Sequence, residues 1–325
     1  MGHGTWSETV GTNRVAHFAR RRADLQRRYA NIEEDHERTY GKAVLGAPVP
    51  GRSRSDRPPS VGTACASCRL NMGAVHSVAG EPARARRALD LGAGVTIQLV
   101  KIPAIPGGRS YWMSVDEITN EQYRRLVPTH DSGLERGEFM QFTEQERGYA
   151  LNEPTQPVVR VSRDEAAAFC QALGERVGAK ARLPSGTEWE WAARAGSTNE
   201  LWYGTRETDF SKVANLADKT FRRQDRFRAN VPGMAVPEWR PADIRFDDGY
   251  RVSAPVEAFA PNAWGLRNVH GNVWEWTGDT GREGRAVARG GSCWSRPKEA
   301  TFGGDVTYRP WQRVHDVGFR ILVEE

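Results

Sequence analysis

The stretch GLRNVHGNVWEWTGD, from Gly265 to Asp279, restricts the fold more than any other part of this chain. It crowds Asn268, Asn272 and Glu275 together with Trp274 and Trp276. A helix or a regular strand would scatter those groups over several faces. An irregular turn can instead aim Asn268, the carbonyl of His270, Asn272 and Glu275 at one point. Converging oxygen donors of that kind suit a hard cation such as Ca²⁺. Trp274 and Trp276, which alternate with Glu275, would anchor the same turn in a core. A well-capped turn that holds no ion fits these residues equally.

Regular elements are expected ahead of this motif. Residues Val95–Ala104 and Tyr111–Ile118 alternate as strands do. Three helix starts then carry capping boxes, in which a hydroxyl and a Glu or Gln three residues later satisfy each other's backbone donors. They are Thr119 with Gln122, Ser162 with Glu165, and Ser185 with Glu188. The first helix should run to about Val127 and stop at Pro128, the second should stop at Gly178, and the third at Gly196. Tyr123 and Leu126, Phe169 and Leu173, and Trp189 and Ala192 should face inward. Beyond Gly196 the chain shows little periodicity and holds most of the tryptophans, until Val317–Val323 reads as a closing strand with Phe319, Ile321 and Val323 on one face. This order predicts a loop-rich α+β domain over residues 91–325 whose function sits on loops.

Residues 1–90 differ in texture. They carry 15 Lys and Arg against 9 Asp and Glu, whereas the rest of the chain holds 31 against 32. The basic character thus belongs to an N-terminal extension. It comprises one amphipathic helix at 14–30, with Val15, Phe18, Leu25 and Tyr29 on a stripe, and a Pro/Gly/Ser/Arg-rich linker at 46–62. Such an arm is either a solvated face or a contact for an acidic partner. Cys65 and Cys68 form a lone CxxC, followed by Arg69 and lacking a second pair, which is weak evidence for metal or redox chemistry. A mean hydropathy of −0.64 and the absence of a long apolar run speak against a membrane span. With no signal-peptide segment near Met1, the cytoplasm is the expected location.

Seven segments in order resemble the sulfatase-modifying-factor, or formylglycine-generating-enzyme, domain family, a member of the C-type-lectin-like fold group. They are Val115–Tyr123, Gln156–Cys170, Arg182–Gly196, Ala214–Asp218, Ala254–Trp276, Ala288–Trp294 and Val317–Ile321. The resemblance implies two structural calcium ions. The first set would be the Asn215 side chain, the Leu216 carbonyl, the Asp248 side chain and the Tyr250 carbonyl. The second would be the opening motif: Asn268, the His270 carbonyl, Asn272 and Glu275. It also implies two copper-binding cysteines in the oxidase branch of the family. The matching positions here hold Ser295 and Ala300, neither of which can be a thiolate ligand, so no copper is expected. Cys293 lies close by but has no partner. A related iron branch uses a His-x3-His-x-Glu element, and no two of the seven histidines have that spacing.

The tract Ser292–Asp316 occupies the place of the family's substrate groove. Trp294, Ser295, Asp305, Tyr308, Trp311, Arg313, His315 and Asp316 mix rigid aromatics with directional polar groups, as recognition surfaces do. Core anchoring is the competing role for its tryptophans. The tract also matches the region that diversity-generating retroelements vary in target proteins of this fold. Three functions fit. One is a calcium-stabilised, non-catalytic module that binds a protein or peptide through this tract. Another is an oxidase of the family with non-standard metal ligands. The third is an assembly subunit that uses the basic arm. Nucleic acid is not the expected ligand.

Overall fold

Strand β2, Thr96–Ile102, buries both of its faces: Ile97 and Leu99 on one side, Val100 and Ile102 on the other. The computed structural model, which describes residues 84–135, 149–222 and 242–325, all within the compact unit Ala74–Glu325, explains this pattern. Strand β2 lies inside a five-stranded sheet ordered β1-β2-β3-β11-β6. The other strands of this sheet are β1 (Arg86–Asp90), β3 (Tyr111–Ser114), β11 (Leu322–Glu324) and β6 (Ala181–Arg182), while β4 (Leu134–Glu135) and β5 (Tyr149–Ala150) pair with each other. One face packs with Phe169, Leu173, Trp276 and Phe319, and the other with Trp189, Trp264, Leu266 and Phe302. A sheet covered on both faces reads as a nearly continuous apolar run. Strand β1 precedes Leu91 and pairs with β2 from Arg86 opposite Val100 to Asp90 opposite Thr96. The helix expected at 14–30, the linker at 46–62 and the Cys65/Cys68 pair lie outside the described residues.

All three capping boxes form. Thr119, Ser162 and Ser185 each accept from the backbone N–H three residues on, and Gln122, Glu165 and Glu188 each accept from the cap. Helix α1 is only Asn120–Arg124, shorter than expected, because its last turn loosens at Arg125 ahead of Pro128. Helix α2, Arg163–Val177, ends at Gly178 with φ +64°, and α3, Gly186–Arg194, ends at Ala195 with φ +47°. Helix α2 buries Phe169 and Leu173, and α3 buries Trp189 and Ala192. In α1 Tyr123 is buried, while Leu126, beyond the end of the helix, is half-buried.

Two expectations need correction. The region after Gly196 contains a second sheet, ordered β10-β7-β8-β9. It is built from β10 (Val317–Gly318), β7 (Trp274–Thr280), β8 (Ala286–Arg289) and β9 (Asp305–Tyr308). The closing segment is also not one strand. Val317–Gly318 runs parallel to β7 in this second sheet, and Leu322–Glu324 joins the first sheet between β3 and β6. Phe319, Arg320 and Ile321 form the crossing and are all fully buried. A period-two reading assigns one face to the core; here both faces are interior, so alternation could not mark the break.

Candidate functional site

The opening motif divides into a turn and a strand. Asn268, Gly271 and Asn272 have φ of +56°, +83° and +62°, after which β7 begins at Trp274. Only glycine fits at 271, since a Cβ there would lie 2.1 Å from the carbonyl oxygen of Asn215. Strand β7 carries Glu275 into the interior at 0% exposure. Arg320 meets it with Nε and Nη2, each at 2.6 Å, and Trp189 Nε1 adds a third donor at 2.6 Å. The remaining N–H groups of Arg320 go to the carbonyls of Ser114, Val115 and Arg267, so all five guanidinium donors are used.

A second buried carboxylate, Glu117, lies beside this pair. It accepts from Asn268 Nδ2 at 2.8 Å and Asn272 Nδ2 at 2.9 Å. Burial and then the charge of Glu275 push its pKa up to about 8. Asn272 Oδ1 is occupied by the N–H of Ala254 and by Asn215 Nδ2. Of the side-chain oxygens in the second donor set, Asn268 Oδ1 alone is buried without a partner. The positive charge that Glu275 would need from a metal already comes from Arg320. The second set therefore offers a calcium ion one free side-chain acceptor, Asn268 Oδ1, and less uncompensated negative charge than two carboxylates alone would. His270 of this motif points its ring away into an aromatic nest, where Nε2 accepts from the N–H of Trp202 at 3.2 Å and the ring meets Phe302 at 4.6 Å. Burial drives the His270 pKa down to about 3, so the ring is neutral.

The first donor set is arranged differently. Asn215 gives its Nδ2 to the carbonyl of Val252 and to Asn272, which leaves a buried Oδ1 with no partner. Asp248 accepts from the N–H groups of Leu216 and Tyr250, at 3.0 and 2.8 Å. Asp218, fully buried, in turn accepts from the N–H of Asp248. Burial, and next the charge of Asp218, push the Asp248 pKa up to about 8. Two carboxylates that repel each other and an amide oxygen without a hydrogen-bond partner are hard oxygen donors. This set fits calcium; Asn215, Asp248 and the carbonyls of Leu216 and Tyr250 would hold it, and it would supply structural neutralisation.

The C-terminal tract does not gather into one patch. Trp294 is half-buried, with its ring edge-on to Phe221 at 5.0 Å and to His315 at 5.4 Å. His315 stands 3.9 Å from Glu135 and 4.0 Å from Asp316, and Asp316 accepts from the Ser292 hydroxyl at 2.8 Å. These residues form one group. Tyr308 packs edge-on to Trp276 at 5.8 Å, and Asp305 is exposed at the start of β9. Trp311 is 69% exposed, and Arg313 pairs with Glu165 at the start of α2. Ser295 departs from the expectation of a ligand contact: it is 6% exposed, its hydroxyl accepts from the N–H of Ser292, and so it lies beneath the surface.

Residues 106–325 match the family described as the sulfatase-modifying factor enzyme 1-like domain. The chain belongs to this family. It is 34% identical over 131 residues to the formylglycine-generating enzyme of Bos taurus, a match covering 40% of this chain and 28% of that protein. It is 34% identical over 125 residues to the inactive C-alpha-formylglycine-generating enzyme 2 of Mus musculus, covering 38% and 32%. The chain thus spans about a third of the length of these curated relatives. Among solved structures, Treponema denticola variable protein 1 shares the fold, with a TM-score of 0.53 and 19% identity over 74% of this chain and 99% of that one.

Ser295 and Ala300, which the resemblance sets against the copper-binding cysteines, both lie close to Gly291. A Cβ built on Gly291 would lie 2.6 Å from the Cβ of Ala300 and 3.4 Å from that of Ser295. Ala300 is fully buried beside Phe210, Ala214 and Leu216. Cys293 is buried, and its pKa is raised well above the usual thiol range by burial and then by Asp316, Glu135 and Asp248. That thiol is inert as a nucleophile. Sequence reasoning missed Glu117, Asp218, Trp189 and Arg320 as parts of these clusters. Arg320 did leave a signal, since a guanidinium inside the apolar run VGFRILV needs a buried carboxylate.

Proposed function

We propose that this chain is a non-catalytic binding module of the sulfatase-modifying-factor family. It is stabilised by one calcium ion at Asn215 and Asp248 and recognises a protein or peptide through its C-terminal tract. The observation that carries this reading is the pair Ser295 and Ala300: both are buried, adjacent across Gly291, and without a thiol. Similarity to an enzyme named inactive agrees with this reading, as does a fold shared with a protein named variable. The half-buried Trp294 with His315 and Asp316 supplies an aromatic and polar surface of the type recognition sites use.

The test is oxygen uptake with a cysteine-containing peptide as substrate and Cu(I) supplied. No turnover above that of copper and peptide alone is expected. Copper-dependent conversion of the cysteine that saturates with peptide would overturn the proposal.

A further inference from the structure

The turn Arg309–Gln312 presents a tryptophan that the fold does not use. Trp311 is 69% exposed, while Trp189, Trp264, Trp274 and Trp276 are all buried. A large aromatic left in water loses the burial that its area offers, roughly 25 cal/mol per Å². The turn that carries it is nevertheless braced on three sides. The N–H of Gln312 donates to the carbonyl of Arg309 at 2.9 Å, and the N–H of Arg309 donates to Gln312 Oε1 at 3.4 Å. The N–H of Asp164 donates to the carbonyl of Pro310 at 3.3 Å. Arg313 grips the Glu165 carboxylate with Nε at 2.9 Å and with Nη2, tying the turn to the first residues of α2.

Charge around the turn is uneven. Glu165 is spent on Arg313, and Asp164 lies 3.7 Å from Arg163. Arg309 is exposed and has no ion-pair partner among the described residues. A fixed tryptophan beside an unpaired arginine is the residue combination that dominates binding energy at protein interfaces. Bracing lowers the ordering cost of using it. Single-stranded nucleic acid would call for several stacking rings along a basic groove, and this turn offers one ring.

We infer that the Arg309–Gln312 turn is a docking site for an acidic peptide segment of a partner protein, with an apolar side chain seated on Trp311 and a carboxylate on Arg309. The inference rests on the binding reading above and assigns its partner class.

The probe is an array of acidic dodecapeptides, each with a leucine or proline among Asp and Glu, beside a matched array with Lys in place of the acids. The protein should bind acidic members and not their basic counterparts, more weakly as salt rises. Trp311→Ala and Arg309→Glu should each weaken binding by at least about tenfold, with unchanged circular dichroism, and Gln171→Ala, at an exposed position of α2 outside the tract, should not weaken it. No acidic binder, equal binding to both arrays, or full affinity in Trp311→Ala would overturn the inference. So would preference for a DNA oligonucleotide over every peptide. Binding lost in Trp294→Ala but kept in Trp311→Ala overturns it and leaves the proposed function standing. Copper-dependent turnover would instead overturn the proposed function, whatever the array shows.

Discussion

Glu275, fully buried on β7, and Asp248, half-buried in a loop, are two carboxylates that differ most in the charge that meets them. Their clusters touch through the hydrogen bond between Asn215 Nδ2 and Asn272 Oδ1. Glu275 is gripped by a guanidinium at 2.6 Å on both oxygens. Asp248 has only backbone N–H donors, and burial and then the carboxylate of Asp218 oppose its ionisation. The difference teaches that a motif dense in oxygen ligands has to be read together with the charge that already faces it. What decides is whether positive charge has already been supplied from within the chain.

The comparison can be broken most forcefully at Glu275. Removing one partner of a buried ion pair leaves the other charge uncompensated and costs about 3–5 kcal/mol. Glu275→Ala should therefore lower the chemical-denaturation midpoint sharply. The added stability that calcium confers should survive, and its disappearance would return the second donor set to consideration. Asp248→Asn should do the reverse. Without calcium its stability should change little, because the relief of a disfavoured buried charge is offset by the loss of one acceptor for the N–H of Leu216 or Tyr250. With calcium it should forgo the gain of about 2.7 kcal/mol that a ligand at a hundred times its Kd confers. Thermal melts with and without calcium read both halves.

Smaller effects lie outside the two clusters and serve as references. Ser162→Ala removes a helix cap and should cost about 1 kcal/mol, with no change in calcium response. Glu188 supplies a pH reference. Burial raises its pKa, but hydrogen bonds from Arg182 and Ser185 outweigh that and hold it down to about 2, against an ordinary value of 4.5. A depressed carboxylate contributes stability that is complete above its unfolded pKa and is lost as pH falls through the folded one. The melting temperature should thus decline between pH 4.5 and 2, and Glu188→Gln should flatten that limb. An unchanged limb would show that the ion pair contributes nothing in solution, as exposed pairs often do.

Much of this fold was legible because local chemistry is strict. A hydroxyl followed three residues later by Glu or Gln has little else to do than cap a helix, and all three such starts do so. The ordered motifs identified the family, which the match over residues 106–325 bears out. The second sheet was not legible, because β8 and β9 are four residues each and β10 is two. The split of Val317–Val323 between two sheets was hidden for another reason, since burial on both faces erases alternation. At the candidate site, the sequence brought forward Asn215, Asp248, Asn268 and Glu275. Nothing in it could say that Arg320, 45 positions beyond Glu275, would fold back on that carboxylate. The tract Ser292–Asp316 was legible as a segment and not as a surface: Ser295 is buried, while Trp311 projects into solvent.

The most direct test of the account is the metal content of the purified protein after dialysis against trace calcium, measured by plasma mass spectrometry on parent, Asp248→Asn and Asn268→Ala proteins. One calcium per chain is predicted for the parent and for Asn268→Ala, none for Asp248→Asn, and no stoichiometric copper or iron in any of them. Calcium kept by Asp248→Asn and lost by Asn268→Ala, or copper or iron bound at one per chain, would contradict it.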